Sequence, residues 1–219
     1  MMGQWEYDVA HVIGGAMLLC SFLMLSRRRM GGVIGLLAVQ GLLLAAAAAW
    51  QGWAQGAPHL YASAGIALVA KGIAIPWALR AAVRRIGDAP EEALGPMPAL
   101  LAGGALLALA ILVALPVSTG SRVLTREDLA VALAILLLGL LMMCTRRHAL
   151  AQAAGLLSME NGLMLAAVGA AGMPLVVELS AAGLVLVVAA LAGLFGLRMR
   201  EHVDSLDTGV LDSHRGDRR

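Results

Sequence analysis

The chain has 219 residues, 60% of them hydrophobic and 14% charged, with a formal net charge of +2. A soluble domain carries roughly a quarter charged residues, so this composition leaves almost no surface for water and excludes an ordinary globular fold. With so little outside the apolar segments, it also leaves no room for a separate catalytic domain.

Charges are absent from Met30 to Ala70 and from Ala93 to Ser121, and only Glu160 and Glu178 interrupt Ala149 to Leu197. Apolar runs beyond about 18–20 residues read as membrane-spanning helices and hairpins. A transmembrane barrel would instead alternate polar and apolar positions over about ten residues. The expected fold is therefore all-α: a polytopic membrane bundle of about seven transmembrane helices.

The first span covers 8–26 and contains Cys20; Arg27, Arg28 and Arg29 follow it. Those arginines come after the apolar stretch rather than before it, and no Ala-x-Ala site follows, so it does not read as a cleavable signal sequence. The second span, 31–50, ends at a glycine-, proline- and tryptophan-marked turn from Gln51 to His59. The third, 60–79, carries Lys71, Gly72 and Pro76. The fourth covers 97–117, and the fifth, 129–145, is the shortest. Arg146, Arg147 and His148 lead into the sixth, 149–171, which contains Ser158-Met-Glu160-Asn161. A tight hairpin at Gly169 to Pro174 leads into the seventh, 174–197, with Glu178 near its start. Cys20 and Cys144 read as buried thiols used as small hydrophobes, without the number or spacing of a disulfide framework or metal site.

Arginine placement orients the chain. With the N-terminus outside, thirteen arginines fall on the inner side (Arg27, Arg28, Arg29, Arg80, Arg84, Arg85, Arg146, Arg147, Arg198, Arg200, Arg215, Arg218 and Arg219), and only Arg122 and Arg126 fall outside. This is the positive-inside asymmetry of a chain with a cytoplasmic C-terminus. Trp5, Tyr7, Trp50, Trp53 and Tyr61 then sit as an outer interfacial belt, beside His11 and His59. The polar tail, 200–219, admits two readings: a docking segment for a soluble partner or a disordered terminus. Its arginines alternate with aspartates, a poor pattern for nucleic acid or anionic lipid.

Two stretches read alike. Arg28-Arg29-Met30 precedes Gly35-Leu-Leu-Ala-Val-Gln40-Gly-Leu-Leu-Leu44, and Arg146-Arg147-His148 precedes Gly155-Leu-Leu-Ser-Met-Glu160-Asn-Gly-Leu-Met-Leu165. Duplication and coincidence both account for the match. A duplicated unit would run parallel in its two copies, with neutral Gln40 standing where the second copy has Glu160.

Lys71 and Glu160 both fall near mid-membrane at 1.5 Å per residue. An ionised side chain there costs about 2.5–3.5 kcal/mol on the lenient insertion scale, so each must face protein or water. Glu160 reads either as a proton-carrying carboxyl group or as a structural acid bonded to Asn161, Ser158 or Lys71. Lys71 reads as a switchable ionic partner or a static counter-charge. Equal depth and opposite sign make a direct Lys71–Glu160 contact an expectation. Pro76 leaves a carbonyl unpaired near Gly72 and opens a kink. Glu178 reads as a first-turn acid at the helix dipole or as a further proton-path member. No Cys-x-x-Cys, phosphate-binding loop or haem-clamping histidine pair is present, so no cofactor is expected in this chain.

The Arg146-Arg147 turn, the Gly155 to Gly162 stretch, Lys71 with Pro76, and the tail's Asp204-Ser-Leu-Asp207 together resemble the E-type membrane subunit of energy-converting nickel–iron hydrogenases, the hydrogenase-4 component E family. Residues 129–198 are similar to the small K-type membrane subunit of respiratory complex I. The resemblance implies four parts: a three-helix membrane unit with a cytoplasmic loop over 1–96, a spacer helix and outer loop over 97–128, a K-type-like three-helix unit over 129–199, and a cytoplasmic tail over 200–219. It implies a non-catalytic subunit beside antiporter-like subunits and a soluble hydrogenase arm in a bacterial or archaeal cell membrane. The nickel–iron site and iron–sulfur clusters would belong to the partner subunits. Glu160 matches the family's mid-membrane glutamate. The second acid that the family often has in the next helix, a little deeper than Glu178, is missing, which puts a two-carboxylate relay in doubt. A self-contained proton- or cation-coupled transporter and a purely structural scaffold are the competing readings.

Overall fold

The computed structural model describes residues 4–86, 95–116 and 126–169. The expected seventh span, Glu178, the 200–219 tail and its Asp204–Asp207 stretch lie outside the described residues. Within them the chain is helical, without strands. Helix α1 spans Gln4–Ser26 and α2 Met30–Gln55; α3, His59–Ala67, continues through a π-helical segment, Leu68–Ala74, into α4, Ile75–Ile86. Helices α5 (Pro96–Ala114), α6 (Arg126–Thr145) and α7 (Ala149–Gly169) complete the bundle. Among the described residues five stretches are long and apolar enough to cross a membrane: Asp8–Ser26, Met30–Gln55, His59–Arg84, Pro96–Ala114 and Glu127–Thr145.

Several boundaries differ from expectation for local reasons. Helix α2 does not stop at residue 50 but runs to Gln55, and the expected turn from Gln51 to His59 shrinks to Gly56-Ala57-Pro58. The Gln55 amide donates to Gln51 Oε1 at 3.0 Å and to the Val168 carbonyl at 3.3 Å, so the polar residues are held within the helix. Gly56, left-handed at φ 63°, ends it, as a residue without Cβ does at little strain. The third helix reaches Ile86 rather than 79, carrying Arg80 and Arg84 exposed on its last turns. Helix α6 starts at Arg126 instead of 129, with Glu127 and Asp128 in its first turn, where the helix dipole favours acids.

Side-chain contacts tie the helix ends together. At one end, the Arg146 guanidinium donates to the carbonyls of Met24, Leu25 and Arg27 at 3.2, 3.0 and 2.7 Å. These are carbonyls at the end of α1 and in the turn after it, groups a helix terminus leaves unpaired. At the other end, His11 of α1 lies 3.5 Å from Glu127 and 3.6 Å from Asp128 of α6, while Gln55 of α2 reaches Val168 of α7. Thus α1 runs parallel to α6 and α2 parallel to α7, the arrangement expected of a parallel duplication.

The tightest seam joins α6 to α7. A Cβ on Gly139 would lie 2.5 Å from the Met159 nitrogen, one on Gly155 2.7 Å from the Met143 nitrogen, and one on Gly162 2.8 Å from the Leu136 nitrogen. Only glycine permits backbones this close, the small-residue packing of membrane helices. Met24, Ile34, Leu37, Ile75, Leu138, Met142 and Leu150 fill the core around α2. Exposed Met97, Leu101, Leu109, Ile111, Leu112 and Val113 make the outer wall of α5 apolar, a surface suited to lipid.

Candidate buried ion-pair site

Lys71 and Glu160 meet in the middle of this bundle. Glu160 stands 11 residues after Ala149 and 9 before Gly169, half-way along α7. Lys71 sits in the π segment, which lies immediately before Pro76. Proline gives no N–H to the carbonyl four residues back and crowds it; before it the chain takes a widened, π-helical turn, and the Ile75 amide bonds back to the Ala70 carbonyl. Gly41 seats this segment against α2, since a Cβ there would lie 2.6 Å from the Lys71 carbonyl.

The Lys71 ammonium donates to Glu160 Oε2 in a direct ion pair, with only 6% and 12% of the two side chains exposed. Pairing makes the burial tolerable, since either charge alone would be left uncompensated away from water.

A second polar group lies across α2 from the pair. The Gln40 amide, fully buried, donates to Ser21 Oγ at 2.9 Å and to the Met17 carbonyl at 3.4 Å. Gln40 Oε1 accepts from Asn161 Nδ2 at 3.1 Å. Asn161 therefore bonds to Gln40 rather than to Glu160, the partner expected of it. The duplicated-unit comparison singles out Gln40 without revealing this bond; neutral polar residues in apolar helices give no charge signal. Ser158, 1% exposed, bonds neither Glu160 nor any other group among the described residues.

Two cavities of about 30 Å³ each lie in the bundle, one beside Lys71 and the other away from the ion pair, near His11; one water needs roughly 10–15 Å³. The first adjoins Lys71 and rises past Ser63, Ala67, Ala48 and Met164 to Val168. The second opens beside His11, Trp50, Gln51 and Asp128, and Val168 borders both. Of the two thiols, Cys20 is buried as expected but Cys144 is exposed, on a face of α6 that its neighbours leave uncovered. Among the described residues no three His, Cys, Asp or Glu side chains converge as a metal site.

The fold and its central ion pair define a multi-pass, all-helical protein of the membrane type. The chain is 35% identical over 202 residues to the uncharacterized protein Rv0085 of Mycobacterium tuberculosis, covering 90% of this chain and 91% of that protein. It belongs to the family that includes Rv0085. No established family profile matches the sequence, and no solved structure does.

Proposed function

We propose that this chain is a non-catalytic membrane subunit of a multisubunit, proton-coupled redox complex, similar to the E-type subunits of energy-converting nickel–iron hydrogenases. In this reading Glu160 carries a proton and Lys71 is its counter-charge. The observation that carries it is the buried Lys71–Glu160 contact half-way through the bundle. Ionisable residues inside membrane helices are costly, and they concentrate on ion and proton pathways.

The chain crosses a bacterial or archaeal cell membrane seven times, with its N-terminus outside, as the thirteen-to-two distribution of arginines supports. In this reading the nickel–iron site and the iron–sulfur clusters belong to partner subunits.

Co-purification of the tagged chain from native membranes tests the proposal. Recovery of large antiporter-like membrane subunits together with nickel and iron–sulfur proteins is the expected result. Recovery of the chain alone, with proton- or cation-coupled uptake after reconstitution, would replace this reading with a self-contained transporter.

A further inference from the structure

The Lys71–Glu160 pair divides the bundle into two unlike halves. Toward Arg146 the interior is solid: Ile34 and Leu37 precede Gln40 on α2, Ile75 and Leu79 follow Lys71, and Leu150 and Leu157 precede Glu160 on α7, all within one buried cluster. Toward His11 it is hollow. Both cavities lie on that side, with walls drawn from α2 after Gln40, from the third helix up to Lys71 and from α7 after Glu160.

The two cavities differ in character. The one near His11 also has Gln51 and Asp128 in its wall, and water reaches that wall, since the His11 and Asp128 side chains are 33% and 20% exposed. The one beside Lys71 is otherwise lined by apolar side chains except at Ser63, whose hydroxyl donates to the His59 carbonyl at 3.4 Å. A polar cavity of this size holds water, whereas an apolar one stays dry. Helix geometry sets one side chain between them. On α7, Met164 faces the Lys71 cavity and Leu165 the His11 cavity, and Val168, one turn on from both, borders each. Val168 is buried against Ala48, Ala49 and Ala64, and the Gln55 amide holds its carbonyl.

We infer that the ion pair is reached from the His11 end of the bundle, through the polar cavity, and that Val168 is the hydrophobic gate between that cavity and the one beside Lys71. An apolar constriction of this kind passes water only while it is wetted. The inference deepens the proposed proton role of Glu160 and rests on that reading for its purpose: a gated route brings protons to the pair from one side only. Wetting is read on this chain alone and proton movement on turnover of the complex, so the two fail separately.

The test is hydroxyl-radical labelling by X-ray pulses in H₂¹⁸O on the full chain in lipid nanodiscs. Met164 reports on the Lys71 cavity and Leu165 on the His11 cavity; Met24, Met142 and Leu138, buried in the solid half, are controls of like chemistry. In the unmodified protein Leu165 should label several-fold above Leu138, while Met164 stays near Met24 and Met142. Val168→Thr keeps the size of the side chain and adds a hydroxyl that wets the gate. Labelling of Met164 should then rise several-fold with Met24 and Met142 unmoved, and the same exchange at Val33, in the solid half, should leave Met164 unchanged. Ala47→Leu, which fills the His11 cavity, should return Met164 to the control level when added to Val168→Thr. Leu165 labelled no more than Leu138 overturns the wet entrance without any variant. Met164 labelled well above the control methionines in the unmodified protein, or unmoved by Val168→Thr, overturns the gate. A rise at Met164 that survives Ala47→Leu overturns entry from the His11 end.

Discussion

Neutralising one member of the Lys71–Glu160 pair should destabilise the protein far more than neutralising both. Lys71→Met leaves the carboxylate of Glu160, and Glu160→Gln leaves the ammonium of Lys71, each in a place where the two side chains are 6% and 12% exposed. Removing one partner of a buried pair costs about 3–5 kcal/mol, whereas replacing both by neutral groups of similar size is close to neutral or stabilising. For a chain of this length a loss of 3–5 kcal/mol is a drop in melting temperature on the order of 6–20 °C. The double variant Lys71→Met/Glu160→Gln should therefore melt above either single variant. Thermal unfolding of the purified chain in one detergent, read as a double-mutant cycle, measures this. The charge swap, Lys71→Glu with Glu160→Lys, should recover part of the loss. Additive single effects, with the double variant lowest, would refute the claim that the two charges hold each other.

Other consequences follow from the packing. Gly139→Ala should cost at least about 3 kcal/mol, the upper end for overpacking, because its Cβ would meet backbone atoms 2.5–2.8 Å away that cannot yield. Gly104→Ala, with nothing within 4 Å, should change stability by no more than about 1 kcal/mol, in the direction of helix propensity; comparison of the two melting temperatures is the check. Arg146→Met should lose at least about 2 kcal/mol, since it removes the Nη2 donor around which the Met24, Leu25 and Arg27 carbonyls gather, and protease cleavage near residues 27–29 should rise. Gln40→Leu should cost about 1–3 kcal/mol by orphaning Asn161 Nδ2, seen as a lower unfolding midpoint.

The sequence displays the class of fold and the two members of the ion pair for the same physical reason. Water-free helices permit almost no charge, so Lys71 and Glu160 stand out against their apolar surroundings, and counting residues along each helix puts them at one depth. The remainder depends on which helix lies beside which. Arg146 reads as an interfacial anchor until α1 is seen ending next to it, when its guanidinium becomes the cap of another helix. Gln40 looks like a neutral counterpart of Glu160, yet it bonds to Asn161, a contact between α2 and α7 that no spacing encodes. Gln51 and Gln55 mislead in the opposite direction: their polarity marks membrane-interface depth, while the backbone around them stays helical. Pro76 announces a distortion, but not that the segment holding Lys71 is π-helical and packs closely on Gly41 of another helix.

Proton movement on turnover is the quantity that bears most directly on Glu160. In the redox complex proposed above, reconstituted in vesicles with a pH-sensitive dye inside, Glu160→Gln should keep the electron-transfer rate per assembled particle and lose most of the associated proton uptake. An assembled complex in which that substitution leaves the number of protons moved per electron unchanged would contradict the account.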